Sequence, residues 1–413
     1  MGDALHRTRT TYFYELWRAI SAGILETAGS TFLLTIAVQE FDAGPFCKAI
    51  VAGAGSLGLL ISPVLVSQVT ALGWPTSRAA GRVLAAGALS FGVAALLPGL
   101  PVFAACSVLA MTTSAAVIPL LTQMYQDNYP TRERGRRFSR TVMIRIATAA
   151  VFSKLAGDAL DGRMDEYPRL LLVFGGALAF ASFCLSRCPT RPIPSDGGAH
   201  PFRAMRFVRD DALFRRTLLC WMLMGFGNLM MLPLRVEYLA NPKYHHGHPA
   251  ATVALIALLT GVIPNLARLA LSPVWGHLFD RMNFFALRVT LNIGFAIGIL
   301  TFFTTDSFAG LVAGAVLYGI SNAGGDVAWS LWVTKFAPAG RVADYMSVHT
   351  FLTGVRGVLA PLLAFYLVSR ISLGMLAGTS SGLIVLATAL LLPEIHQGRK
   401  ARATSALVEE VSE

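Results

Sequence analysis

Charge is what this sequence has least of. Of its 413 residues only 14% are Asp, Glu, Lys or Arg, against 54% hydrophobic, and the mean hydropathy is +0.59. A soluble globular chain carries roughly 25% charged residues, so this one lacks the polar surface to face water on all sides. The length would suit two or three soluble domains; the composition implies one membrane-embedded body instead. Acid is scarcer than base, 23 residues against 34, for a net charge of +11. Cysteine is scarce too. Cys47, Cys106, Cys184, Cys188 and Cys220 lie in or beside apolar runs. Cys184 and Cys188 are four apart with no histidine nearby, so no zinc set is present and all five read as small packing residues. No GxxxxGK[ST] or HExxH pattern occurs. The chain is therefore read as neither an enzyme nor ATP-driven, and no cofactor is expected.

What is present is a series of long apolar segments. A spanning helix needs about 20 mostly apolar residues, and twelve such stretches occur near 14–38, 46–69, 80–98, 101–124, 139–160, 169–187, 214–239, 250–276, 285–304, 309–333, 345–369 and 372–392. Pro98, Pro101, Pro130, Pro168, Pro242 and Pro338 fall between them, where a missing N–H and a fixed φ end a helix. The basic residues Arg7 and Arg9 ahead of the first run superficially resemble a signal peptide, but that run is too long and holds Glu26 at its centre. The segment 188–213 is rich in proline and glycine and then basic, and separates six spans from six. The organisation expected is a six-helix bundle over 1–187, a cytoplasmic linker over 188–213, partly helical from Pro201, a second bundle over 214–393 and a mobile cytoplasmic tail over 394–413.

Base placement gives orientation. With the N-terminus inside, 23 of the 34 basic residues lie on the cytoplasmic side, five outside (Lys48, Arg163, Arg169, Lys243, Arg370) and six within spans. This asymmetry implies that both termini are cytoplasmic, and it turns the net charge into a topology signal rather than a nucleic-acid one. A duplication underlies the two sets of six. Ser62-Pro63-Val64 recurs as Ser272-Pro273-Val274, Tyr129-Pro130 corresponds to Ala337-Pro338, and Arg82-Val83 to Arg288-Val289, at offsets of 210, 208 and 206.

The turn after the eighth span, Gly276-His277-Leu278-Phe279-Asp280-Arg281, resembles the G-x-L-x-D-R loop of the major facilitator superfamily of secondary transporters. The basic turn Pro130-Thr131-Arg132-Glu133-Arg134-Gly135-Arg136-Arg137 is similar to that family's arginine–glycine turn after the fourth span. The resemblance covers essentially the whole chain. It implies an all-α integral membrane protein of twelve transmembrane helices in two pseudo-symmetric six-helix bundles, with spans 1, 4, 7 and 10 lining a central cavity. It also implies a conformational latch at Gly276, Asp280 and Arg281, with Arg78 and Arg82 supplying parts of the twin turn. No aspartate lies between Gly73 and Arg82, and the glycine–proline motif of antiporters is missing from the fifth span.

Charges at membrane depth cost roughly 2.5–3.5 kcal/mol each on insertion scales, so they default to pathway residues. Glu26 and Asp326 are candidate coupling sites in the two halves. Arg268 and Arg356 sit roughly 18–20 Å from their cytoplasmic ends at 1.5 Å per residue, where they either bind an anionic group or pair with Glu26 and Asp326. Arg145 is shallower and can snorkel; Asn265 shares the face of Arg268. Arg235 and Glu237 are a candidate outer gate. His349 is a candidate proton relay, and Trp329 and Trp332 either stack a substrate ring or sit in an interfacial belt. Lys154 with Asp158, and Glu15 with Arg18, read as local ion pairs, and the histidine loop 245–248 as solvated.

The function expected is secondary active transport of a small organic solute, anionic or zwitterionic, across the inner or plasma membrane by alternating access, coupled to H+ or Na+. The bilayer, the solute and the coupling ion are the partners, the chain is expected to be a monomer, and no nucleic acid or metal is involved. Two alternatives stand beside this. A multidrug or lipid exporter would line its cavity with aromatics and methionines such as Met222, Met224, Met230 and Met231. A non-transporting sensor or partner protein of the same fold would hold one state.

Overall fold

In a computed structural model, described for residues 2–193, 205–244, 250–305, 307–332 and 342–412, the chain forms twelve long helical columns. The first is α1 (Gly2–Thr27, a π-turn at Ala28–Phe32, then Leu33–Gln39). It is followed by α2 (Pro45–Ala71), α3 (Thr76–Leu96), α4 (Leu100–Ala116 and Ile118–Asn128), α5 (Thr131–Leu160) and α6 (Tyr167–Ser186). The second half holds α7 (Ala212–Ala240) and α8 (Val253–Ala257, a π-turn at Leu258–Val262, then Ile263–Arg281). It continues with α9 (Phe284–Thr304), α10 (Phe308–Leu331), α11 (Val342–Leu367) and α12 (Leu373–Ser412). A short helix, Arg206–Asp210, precedes α7.

The starts of these helices are written locally. Asp211, Thr252, Asn283 and Ser307 each accept a backbone N–H of the first turn, satisfying donors the helix cannot. Pro45, Pro101 and Pro168 sit at first-turn positions, where the missing N–H costs nothing. The duplicated proline lies inside α2 and α8 as Pro63 and Pro273. Pro63 deprives Leu59 of its helical donor, and the Ser62 hydroxyl donates to that carbonyl at 2.8 Å. Ser272 in turn donates to the Arg268 carbonyl at 2.6 Å. In α2 the serine thus satisfies the carbonyl that the proline strands, whereas Pro273 strands Leu269 and Ser272 bonds the carbonyl one residue earlier.

Eleven of the columns are long and apolar enough to cross a membrane. The exception is α5, whose 30 residues carry Glu133, Arg134, Arg136, Arg137, Arg140, Arg145, Lys154 and Asp158. Glu133 pairs with Arg137 at 2.7 Å and Lys154 with Asp158. The exposed carboxyl of Glu133, beside the Arg137 guanidinium, is held below the usual carboxylate range. Fully apolar outer faces, such as Leu89, Leu96, Leu172 and Val385, point away from the bundle as a lipid-facing surface requires. The chain is a multi-pass membrane protein.

Some expectations are displaced. α1 begins at Gly2, well before residue 14, and the polar tail past Pro393 continues α12 as helix to Ser412. That stretch is rich in Ala, Glu, Arg and Lys, which favour helix once a turn exists to extend. Residues 194–204 of the linker, the histidine loop 245–248, and Lys335, Pro338 and Arg341 lie outside the described residues, as does the side chain of Asp280. The start of the linker is anchored: Ser77 at the head of α3 donates from its hydroxyl to the Cys188 carbonyl at 2.7 Å and from its N–H to Thr190 Oγ1 at 3.1 Å. Burial pushes the Cys188 thiol up, in keeping with an unreactive packing role.

The halves meet mainly through α2 against α11 and α5 against α8. Glycine makes the first contact close. A Cβ on Gly354 of α11 would stand 2.6 Å from the Leu60 backbone nitrogen of α2, and one on Gly53 of α2 would stand 3.3 Å from the Gly357 carbonyl. Gly354→Val is expected to separate the halves at this seam, because backbone rather than a flexible side chain opposes the new atoms. Overpacking of this kind costs about 1–3 kcal/mol, which would read out as a lower unfolding temperature and reduced folded yield in detergent. Wild-type thermal stability in G354V would show that the seam is looser than the geometry states.

The interface is uneven along the membrane normal. The piece of α1 leading from the chain terminus (Gly2–Thr27) packs mainly on α5 and α6 of its own half, whereas its far pieces, Ala28–Phe32 and Leu33–Gln39, pack both on α2 of their own half and on α7 and α8 of the other. On the far face Gln39 Nε2 also donates to the Ala251 carbonyl at 3.1 Å, and the Ala254 N–H to Asp161 at 3.3 Å. Among the described residues the halves are closed on the face opposite the termini and part toward the terminal face.

Candidate functional site

Midway along the interface, charges from both halves converge on one arginine. Arg268 of α8 is 4% exposed, and its two arms reach in opposite directions. Nη1 donates to Glu26 of α1, across the interface, and Nε donates to Asp326 of α10 at 2.5 Å. Nη1 also lies 3.3 Å from Asn265 Oδ1, one turn earlier on the same helix. The other oxygen of Glu26 faces Arg145 Nε of α5 at 3.0 Å. Four charged groups on four helices, two of each sign, thus form a neutral chain with Arg268 at its centre. A planar guanidinium suits this place because its donors fork at fixed angles toward separate carboxylates.

These charges are not sealed. The side chains of Glu26, Asp326 and Arg145 keep 26%, 32% and 34% of their surface, although all three sit well inside helices expected to span. They therefore border an unfilled space at the seam between the halves. Just beyond them the space is closed. The π-turn of α1 meets the π-turn of α8, and Thr31 Oγ1 and Thr260 Oγ1 are hydrogen-bonded at 3.0 Å across the halves. Gly261 in the second π-turn leaves room only for the Ser153 side chain of α5. π-Turns insert a residue into the helical ladder and recur at functional sites. Neither was foreseen from sequence, since a single extra residue leaves the apolar pattern nearly unchanged; Thr31 and Thr260 carried no charge to draw attention.

The remaining candidates separate. Arg356 does not join Arg268; its guanidinium donates to the Trp221 carbonyl of α7, inside the second half. Arg235 and Glu237, two apart on α7, do not pair with each other. Arg235 lies 3.8 Å over the Tyr318 ring, while Glu237 accepts both 2.9 Å hydrogen bonds from Lys48 Nζ of α2. Lys48 is thus not in an outer loop but 5% exposed within the interface. His349 is wholly buried against Trp221 and Trp332, and Trp332 is a core residue rather than part of an interfacial belt. Arg78 and Arg82 are exposed, with Arg82 stacked 4.2 Å over Trp74; neither has an ion pair among the described residues. At the expected latch, Gly276 faces open space and Arg281 ends α8. Met224, Met230 and Met231 are packed in the core of the second half. Glu15 and Arg18 pair at 2.6 Å and share Tyr125.

No family model and no curated protein matches this chain by sequence. Solved structures do match it. A D323A mutant of the nucleoside transporter NupG is 11% identical, with a TM-score of 0.74 over 93% of this chain and 99% of that one. A D-xylose-proton symporter is 15% identical, with a TM-score of 0.66 over 94% and 96%. The human organic anion transporter MFSD10 is 16% identical, with a TM-score of 0.66 over 94% and 99%. The fold is that of the major facilitator transporters.

Proposed function

We propose that this chain, built on the major facilitator fold, is a secondary active transporter that moves a small anionic or zwitterionic organic solute by alternating access. The observation that carries the reading is the Glu26–Arg268–Asp326 bridge, in which one arginine of the second half holds a carboxylate from each half at mid-depth. Nucleoside, xylose and organic-anion carriers share this fold, so the fold leaves the solute open and the charges in the cavity choose. A solute carboxylate can take Arg268 only by displacing Glu26 or Asp326. The displaced carboxylate, left in a poorly solvated space, then favours uptake of a proton or Na+. A zwitterion can do more, its ammonium replacing Arg268 at Glu26. Arg145 presents a second cation to the same space, and Asn265 fixes the arm of Arg268 that crosses the interface. We place the protein in the inner or plasma membrane with both termini cytoplasmic, so the opening faces the cell interior.

In proteoliposomes, Glu26→Gln or Asp326→Asn is expected to abolish gradient-driven accumulation at whichever carboxylate carries the coupling, while leaving solute exchange in place. If both variants accumulate solute at the wild-type level under H+ and under Na+ gradients, the coupling assignment is wrong. For the exporter reading, three of the four named methionines, Met224, Met230 and Met231, are buried in the core of the second half.

A further inference from the structure

The second half hides two more arginines that no carboxylate answers among the described residues. Arg288, near the start of α9, is 2% exposed, and Arg356 of α11 is 9% exposed. They converge on Trp221 of α7. The Arg288 guanidinium lies 3.9 Å over its ring, and Arg356 donates to its carbonyl. Gly225, one turn along α7, has no side chain because the Arg356 guanidinium occupies that place. His349, two turns before Arg356 on the same face of α11, stands edge-on to Trp221 and Trp332 at 5.2 and 5.0 Å and is wholly buried. Four of the polar atoms gathered here have no hydrogen-bond partner among the described residues: Arg288 Nη2, Arg356 Nε, and both ring nitrogens of His349.

Cation–π contact and one carbonyl do not offset the burial of two guanidinium groups, since an isolated buried charge costs several kcal/mol. The duplication sharpens the contrast. Arg82, the counterpart of Arg288, also stacks on a tryptophan, but at the surface, where water solvates it. In the second half the same arginine has been drawn inside next to another. We propose that Arg288, Arg356 and His349 form a binding site for one compact anion, halide or small oxyanion, within the bundle of α7, α9, α10 and α11. Two positive charges and unspent donors gathered about one tryptophan are the complement of such an ion. The burial of Arg288 and His349 excludes a lipid headgroup. This site is separate from the Arg268 bridge and does not depend on how that bridge is used.

Its aromatic wall provides the test. Of the six tryptophans, Trp17 and Trp74 are exposed, whereas Trp221 and Trp332 are 3% and 0% exposed, beyond the reach of a collisional quencher. Purified full-length protein is titrated with iodide at constant ionic strength, with gluconate as the balancing anion, while tryptophan emission is followed. The expected result is a saturating component on top of the linear quenching of exposed rings. Arg288→Gln and Arg356→Gln should each shift its half-saturation upward about tenfold or more, in line with one lost charge-assisted contact, and Arg268→Gln should leave it in place. Strictly linear quenching of the wild-type protein overturns the proposal without any variant. So does a saturating component that survives both substitutions, or one lost in R268Q, which would place the anion at the central bridge.

Discussion

Arg268→Gln is expected to stop transport, with uptake lowered on the order of a hundredfold or more in proteoliposomes. Both carboxylates that Arg268 holds, Glu26 and Asp326, lose their main cation together, and one of them belongs to the other half of the protein. Removing one partner of a buried ion pair costs about 3–5 kcal/mol. The lower end applies here, because the carboxylates keep 26% and 32% of their surface. Three kcal/mol is about two powers of ten in an equilibrium constant. The variant therefore weakens both the resting bridge and any solute contact through the same guanidinium. Arg268→Lys keeps the charge but offers a point ammonium in place of a fork, so it cannot serve carboxylates on two helices at once. It should recover part of the lost thermal stability and little of the transport. The triple variant Glu26→Gln, Asp326→Asn, Arg268→Gln separates structure from function, since a neutral site has no stranded charge. Its unfolding temperature should return toward wild type while transport stays absent. Wild-type transport by R268Q would remove the arginine from the mechanism.

The membrane architecture was legible because it rests on features that accumulate over many residues. Twenty-residue apolar runs, prolines between them and the distribution of arginine need no knowledge of which helix meets which. The place of Glu26, Arg268 and Asp326 in the middle of long apolar helices was legible for the same reason. Their pairing was not, except as one of two options, because partnership is decided by helix rotation and tilt. Arg268 and Arg356 look alike in sequence, each about halfway along an apolar helix. Yet one faces the other half and the other faces α7 of its own. Lys48 shows the limit most plainly. Three residues into α2, next to a run of loop residues, it reads as an outer-loop cation. Only the approach of α7 turns it into a buried partner for Glu237. The two halves have kept a common backbone plan, down to a serine–proline pair in each second helix, and have diverged in their buried charge. The surplus arginines lie in the second half, where Arg235, Arg288 and Arg356 rest on aromatic rings or a carbonyl rather than on acids.

Weakening Lys48–Glu237 is expected to open the far face. Alternating access requires that the closed end of the interface can part, and this is the buried ion pair that holds it. Lys48 and Glu237 side chains are 7% and 0% exposed, with both carboxylate oxygens 2.9 Å from the ammonium. The accompanying links, Gln39 to Ala251 and Asp161 to Ala254, are single neutral or half-exposed hydrogen bonds. Glu237→Gln keeps shape and one acceptor but gives up the charge, which costs about 1.5–3 kcal/mol for a charge-assisted contact. That energy is lost only in the far-closed state, so the equilibrium moves toward far-open by roughly tenfold to a hundredfold. Thr35 in the far piece of α1 is wholly buried in the closed interface, with its hydroxyl bonded to its own helix. Thr35→Cys, with Cys47 and Cys106 replaced by serine, reports on opening through its rate of labelling by a membrane-impermeant maleimide. The remaining cysteines are buried and stay silent. E237Q and Lys48→Gln should each raise that rate about tenfold or more. Exchanging the charges, Lys48→Glu with Glu237→Lys, should lower it again only in part, because Lys243 stands 3.5 Å from the Glu237 carboxylate and would face a like charge. A labelling rate that ignores all three substitutions would mean that the pair is a packing element and that the far face is held shut by the π-turn contact at Thr31 and Thr260.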